Sequence, residues 1–268
     1  MNFMEKEKNV GVLDSGYGGL TVVKKIFSVL PKENIVYVGD TARAPYGSRS
    51  EKEIIEYSIQ ALQYLLNKNV KLIVISSNTI SSVACDELKK ITTIPIINIV
   101  HTGAKKVVES NIKKAGVIGS PATISKSAYS KFIYLLNAEI EVIEKACSVL
   151  VPLMEDETNS KINIESALEE CLSGFRELKI DLLILGSAYY KLIKAEIQNI
   201  VGDDIKLIDP YDDIGMVVKS ELERIGLQTN SAGLGNQDYF FSDLTNDSER
   251  IIKMFLGEKV KAVQKINL

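Results

Sequence analysis

Val10-Gly-Val-Leu-Asp-Ser-Gly-Tyr-Gly-Gly-Leu-Thr21 is the stretch that decides the fold. Its first four residues are apolar and the next six form a turn-rich break. Residues 20–30 then carry apolar side chains at helical spacing and stop before Pro31. An apolar strand passing through a glycine-rich turn into a helix is the opening of a β-α unit. The pattern continues outward with Asn34-Ile-Val-Tyr-Val38 as the next strand and an amphipathic helix over residues 50–67. A buried strand at 70–75, a helix over about 79–90 and a strand at 95–100 follow. Such alternation predicts parallel sheets with helices on both faces.

The opening stretch has a counterpart further on. Ala115-Gly-Val-Ile-Gly-Ser120 repeats the shape of Val10-Gly-Val-Leu-Asp-Ser15, and Ile180-Asp-Leu-Leu-Ile-Leu-Gly-Ser187 repeats Val70-Lys-Leu-Ile-Val-Ile-Ser-Ser77. Two matches in the same order point to an internal duplication. The expected fold is α/β, with two pseudo-symmetric domains, each a parallel sheet flanked by helices. The expected boundaries are 1–98 plus 210–268 for the first domain and 99–209 for the second, with a helix-rich tail from about 211 packed back on the first.

Composition narrows the function. At 268 residues, 46% hydrophobic and 25% charged, the chain is a folded globular protein. A net charge of −3 gives no bulk support for nucleic-acid binding. The longest apolar runs are too short to span a bilayer, and the polar start MNFMEKEKN does not read as a signal peptide. A cytoplasmic location is expected. Cys85, Cys147 and Cys171 are irregularly spaced and predict neither a disulfide framework nor a zinc site, so no metal is expected.

In parallel sheets, ligands sit beyond the carboxyl ends of the strands, where loops lead into helix starts. Asp14-Ser15, Ser77-Asn78-Thr79, Ser120–Thr123 and Ser187-Ala188-Tyr189 all follow strands and are expected to line one interdomain cleft. The glycines after Asp14 allow backbone to approach an anion, or serve as an ordinary structural turn. They form neither a phosphate-binding P-loop nor a complete dinucleotide fingerprint. The Gly39-Asp-Thr-Ala-Arg-Ala-Pro-Tyr-Gly-Ser48 string is, by itself, a polar surface loop.

Taken together, these segments resemble the glutamate racemases, the bacterial enzymes that make D-glutamate for peptidoglycan. The resemblance runs through residues 11–21 and 37–48, Asn78-Thr79, Gly116-Val-Ile-Gly-Ser-Pro-Ala-Thr-Ile124, Val151-Pro-Leu-Met-Glu155, Leu185-Gly186, Phe241-Ser-Asp243 and Phe255-Leu-Gly257. It covers nearly the whole chain, and the Gly-Asp-Thr-Ala-Arg-x-Pro-Tyr-Gly string is highly specific.

The resemblance implies a cofactor-independent two-base mechanism, in which one thiolate removes the α-proton while a thiol on the opposite face returns one. It places those thiols at Ser77 and Ser187, where this sequence has hydroxyls. The string expected as Gly-Cys-Thr-His-Tyr reads Gly186-Ser187-Ala188-Tyr189-Tyr190. The resemblance also implies that Asp14 and Glu155 handle protons and that Ser15, Pro45, Tyr46, Gly47, Asn78, Thr79, Thr123, Ala188 and Tyr189 line the ligand site. The expected ligand is a small amino acid or dicarboxylate, and homodimers are common for such folds.

A serine hydroxyl needs a strong partner base at neutral pH. The single histidine, His101, just after the strand at 96–100, reads either as a residue near the cleft rim or as an ordinary loop residue, and one imidazole cannot serve both serines. All three cysteines read as buried packing residues. Tyr189 and Lys191 are either new acid/base groups or a space-filling ring and a solvated lysine. The leading expectation is a family member that has lost two-thiol racemisation and binds a small acid or a partner. The alternative is a working amino-acid racemase or isomerase with non-cysteine acid/base groups. A third reading is an interaction protein with an empty cleft.

Overall fold

The computed structural model describes residues 3–155, 161–257 and 263–268. Met1 and Asn2 of the polar N-terminal stretch lie outside the described residues. The strands are β1 (Asn9–Asp14), β2 (Ile35–Gly39), β3 (Val70–Ile75), β4 (Ile96–Asn98), β5 (Lys114–Gly119), β6 (Glu141–Ala146), β7 (Leu182–Gly186), β8 (Lys206–Ile208), β9 (Gln237–Phe241) and β10 (Val263–Lys265). They form two parallel sheets, one in the order β10-β9-β2-β1-β3-β4 and the other in the order β6-β5-β7-β8. The chain has the expected α/β fold of two parallel sheets flanked by helices.

Strand order carries the duplication further than the sequence repeats did. β2-β1-β3-β4 in the first sheet and β6-β5-β7-β8 in the second are the same arrangement, with β1 answering to β5 and β3 to β7. Those are the strands whose sequences match. Central strands β2, β3 and β7 are buried at every position, which is why they read as continuous β-branched and apolar runs. The one charge inside β3, Lys71, is buried and pairs with buried Glu33 at 2.6 Å. β6 is an edge strand with no fully buried residue and carries Glu141, Glu144 and Lys145, so its sequence shows no comparable run.

The tail departs from the helix-rich expectation. The helix Ile214–Arg224 does pack on the helix Leu20–Val29, but β9 and β10 extend the first sheet beyond β2. Phe240 and Phe241 of β9 are buried against that sheet, so the tail completes the first half's core.

Local chemistry sets the helix starts. Ser50 and Glu53 form a reciprocal capping box at the head of Glu51–Leu66. Ser120 caps Pro121–Ser125, with proline in the first turn. Asn98 accepts from the Val100 and His101 N–H groups and so ends β4 earlier than the expected strand at 95–100. His101 consequently lies inside the helix Ile99–Glu109 and not in a loop. The helix expected over 79–90 is two segments, Asn78–Val83 and Cys85–Ile91, meeting at Ala84. The largest apolar cluster joins residues of both halves, including Tyr17, Ile118, Tyr189 and Tyr211, so the halves share a continuous dry contact.

Candidate functional site

The carboxyl ends of the central strands in both sheets open on one cleft of about 900 Å³, counting its mouth. Asp14 to Gly18 follow β1, Ala44 to Ser48 follow β2, and Ser77 to Thr79 follow β3. Ser120 and Pro121 follow β5, Cys147 and Ser148 follow β6, and Ser187 to Tyr190 follow β7. Tyr211 comes from beyond β8. All predicted site residues except Thr123 line this cleft. Thr123 sits behind it, 2.9 Å from Ser120 Oγ and 3.4 Å from Thr79 Oγ1.

The Gly39–Ser48 string is folded by Asp40. Its buried carboxylate accepts from Ser242 Oγ at 2.6 Å, from Arg43 Nε at 2.6 Å and from the Tyr46 hydroxyl. Arg43 stacks over Tyr57 at 4.2 Å, away from the cleft. Asp40 and Arg43 are therefore scaffold, and what they present is Pro45, after a cis peptide bond, with the Tyr46 ring and Gly47. A Cβ on Gly47 would lie 2.6 Å from the Ser120 Cβ, so glycine lets this loop touch the opposite half.

The two serines at the expected thiol positions are held by ordinary partners. Ser77 caps the helix Asn78–Val83, its Oγ accepting from the Ile80 N–H at 3.3 Å, and lies 2.9 Å from Ser15 Oγ. Ser187 Oγ accepts from the Tyr189 N–H at 3.4 Å. Neither hydroxyl has a carboxylate, imidazole or amine partner among the described residues.

Two carboxylates, Asp14 and Glu155, line the cleft among tyrosines. Asp14, 5% exposed, has its pKa pushed up to about 6 by burial, against hydrogen bonds from Ser76 Oγ at 2.7 Å and the Gly16 N–H at 2.9 Å. Glu155, on the helix Leu150–Glu155, is also raised by burial, opposed by the hydrogen bond from Tyr189 and the charge of Arg250. The Tyr189 hydroxyl donates to Glu155 Oε1, and its own pKa is held well above the usual phenol range by burial and by that carboxylate. The Tyr189 ring meets Phe255 edge-on at 5.1 Å. Arg250 donates to the Glu155 carbonyl at 2.6 Å, tying the tail to the second half.

Several expectations are corrected here. His101 stacks on Phe132 with centroids 3.7 Å apart, outside the cleft, and burial lowers its pKa to about 4. Lys191 is neither free nor in the cleft, since it lies 3.5 Å from both Asp209 and Asp212. Cys147 and Cys171 form a disulfide with Cα atoms 5.4 Å apart, bringing the residue after β6 against the helix Lys161–Leu172. Cys85 remains a buried free thiol with its pKa raised by burial.

Ser76 and Tyr211 are the site residues that sequence reasoning missed. Ser76 Oγ bonds Asp14, and the Tyr211 hydroxyl bonds the Ser76 carbonyl at 3.0 Å and Asn78 at 2.7 Å. Tyr211 follows a parallel strand, so the same strand-end rule points to it once β8 is recognised. No group of three or more potential metal ligands is found among the described residues, and no described helix is long and apolar enough to cross a membrane.

The profile of the Asp/Glu/Hydantoin racemase family matches residues 10–212. A glutamate racemase of Geobacter metallireducens is 36% identical over 262 residues, covering 97% of each chain. Glutamate racemase 3 of Caldanaerobacter subterraneus subsp. tengcongensis is 39% identical over 253 residues, 94% of this chain and 92% of that one. The crystal structure of Francisella tularensis glutamate racemase in complex with D-glutamate superposes with a TM-score of 0.92 at 35% identity, over 98% of both chains. Sequence and fold agree along essentially the whole length, and the chain belongs to the glutamate racemase family.

Proposed function

We propose that this chain is a cofactor-independent isomerase of a small amino dicarboxylic acid, with glutamate the first substrate to test. In this reading the proton transfers belong to Asp14 and to Glu155 with its Tyr189 partner, not to Ser77 or Ser187. The observation that carries it is the placement of Asp14 and Glu155 on different halves of one cleft, both with raised pKa values. A carboxyl group tuned toward neutrality serves as base when ionised and as acid when protonated. An alcohol without a base beside it does neither at neutral pH.

The substrate is held in this reading by Ser15, Asn78, Thr79 and the Pro45-Tyr46-Gly47 loop, which line the same space. One carboxyl group abstracts the α-proton, and the other delivers a proton from the opposite side. The reaction returns each group to its starting protonation state after solvent exchange and inverts the carbon. D-Glutamate for peptidoglycan is the product that the family resemblance implies.

A second reading is favoured by the partners of the two serines. Each hydroxyl is held by a backbone N–H, and Ser77 also meets Ser15, which is an arrangement for binding without thiol chemistry. In that case the chain holds the acid and does not interconvert it. Purified protein in deuterated water with D- and L-glutamate, aspartate and other amino dicarboxylic acids separates the two. Incorporation of α-deuterium, lost in Asp14→Asn and Glu155→Gln, supports the isomerase. No incorporation with any member, alongside a ligand-dependent rise in melting temperature, leaves the binding protein.

A further inference from the structure

We infer that Tyr129 and Tyr211 are positioning residues that lock the Asn78 side-chain amide so that it offers an N–H donor, not its carbonyl, to a carboxylate in the cleft. The inference rests on the proposed acidic ligand and names how one of its groups is recognised. Asn78 lines the cleft and is 5% exposed, while both tyrosines are 1% exposed.

Hydrogen-bond arithmetic fixes the amide. A phenol has one proton to give. The Tyr211 hydroxyl lies 3.0 Å from the Ser76 carbonyl oxygen, which only accepts, so the Tyr211 proton is used there. The Asn78 atom 2.7 Å from the Tyr211 oxygen must then donate, and it is Nδ2. Oδ1 faces the other way and accepts from the Tyr129 hydroxyl at 2.7 Å. Flipping the amide would set a carbonyl oxygen against an oxygen with no proton left to give. Burial holds both phenols well above their usual pKa, so they stay neutral donors.

This leaves Nδ2 with a second N–H that has no partner among the described residues. A buried donor without a partner carries the full cost of its lost hydration. A ligand carboxylate recovers it with a charge-assisted bond. The neighbouring Ser15, Thr79 and Ser120 hydroxyls supply further donors and no fixed negative charge. The lock also spans the two halves. Asn78 follows β3 of the first sheet, whereas Tyr129 lies on the helix Ala128–Leu136 and Tyr211 lies beyond β8 of the second. The donor is therefore aimed only while the halves are docked.

The test is glutamate binding to the full chain by calorimetry, in a cycle of wild type, Tyr211→Phe, Asn78→Ala and the double variant. Losing an oriented bond to a charged group predicts about tenfold or weaker binding in Tyr211→Phe. The decisive readout is coupling: in the Asn78→Ala background, Tyr211→Phe should change affinity no further. Equal loss in both backgrounds, or no loss in the single variant, overturns the inference. A wild type that binds neither D- nor L-glutamate overturns it together with the proposed ligand, and is recognised before any variant is compared. Should Tyr211→Phe not fold, the Asn78 side-chain NH2 pair in a 1H–15N spectrum of wild type decides. One proton should move on glutamate addition while its mate, bound to Tyr211, stays protected from exchange. A pair that does not respond overturns the inference.

Discussion

Ser15 Oγ and Ser77 Oγ lie 2.9 Å apart, one hydroxyl bonded to another, with no base to draw a proton from either among the described residues. The expected thiol position is thus occupied by a group whose bond network suits an N-cap. Replacing the alcohols by thiols changes acidity by many orders of magnitude at nearly constant shape. Ser77→Ala and Ser187→Ala should leave α-deuterium incorporation at the wild-type rate. The combined Ser77→Cys/Ser187→Cys variant should raise D/L-glutamate interconversion by about a hundredfold or more. Chiral separation of the products measures this. Equal rates in the cysteine variant and wild type would show that acidity at these positions is not limiting.

Asp14 carries a prediction of opposite sign for stability and for chemistry. Its folded pKa of about 6 exceeds the ordinary 3.8, so the folded state binds the extra proton between those values. Stability contributed by this group is therefore highest below about pH 4 and falls as pH rises to about 6, by about 3 kcal/mol in total. Asp14→Asn removes the charge, and its side-chain O still accepts from the Gly16 N–H. Ser76 Oγ can accept from the new amide while donating to the Leu13 carbonyl, which it already meets at 2.9 Å. The variant should melt higher than wild type at pH 7, lose that margin near pH 4, and show no α-proton exchange. In wild type, kcat/KM should rise with a midpoint near pH 6, and a profile flat through that region would count against Asp14 as the base.

Tyr189 and Glu155 form the other candidate pair. Tyr189→Phe keeps the ring against Phe255 and removes only the hydroxyl that supports the Glu155 carboxylate. That hydrogen bond lowers the Glu155 pKa, so its loss should push an already raised value higher. If protonated Glu155 is the acid, the alkaline limb of the rate profile moves to higher pH in the variant. Stability should drop by about 1–3 kcal/mol, and more where Glu155 is ionised than where it is protonated. Paired pH–rate and thermal-melt series read both, and an alkaline limb that stays in place removes Glu155 from the mechanism.

How far these residues were legible in the sequence depends on how local their causes are. β1 and β3 announce themselves because both faces are buried, and the loops after them stand at strand ends, where the site must be. β6 is an exposed edge, and β8 is only Lys206–Ile208, too short to show a period, so Tyr211 beyond it was hidden as well. β9 and β10 gain their pairing from β2, far away in sequence, and nothing local marks them as strands of the first sheet. The Cys147–Cys171 pair is likewise a product of packing across 24 residues. His101 was misplaced for the opposite reason. Asn98 is a good N-cap visible in the sequence, and it starts a helix where a loop was expected. The Gly39–Ser48 string was legible as a resemblance but not as physics, because its cause, Asp40 buried under Arg43, Tyr46 and Ser242, exists only once the tail has folded.

That dependence of the cleft on contact between halves gives a last prediction. A Cβ built on Gly18 would lie 2.9 Å from the Ala188 Cβ, a methyl fixed directly to backbone that no rotamer change can move. Gly18→Ala must therefore push the Ser187–Tyr190 turn away from the glycine loop after β1. Overpacking of this kind costs about 1–3 kcal/mol, and here the strain falls on the turn carrying Ser187 and Tyr189. Glutamate affinity should weaken along with the melting temperature. Ala188→Gly removes the opposing methyl, so Gly18→Ala/Ala188→Gly should recover both, with a strongly non-additive cycle. Independent, additive effects of the two substitutions would mean that these loops do not press on each other in solution.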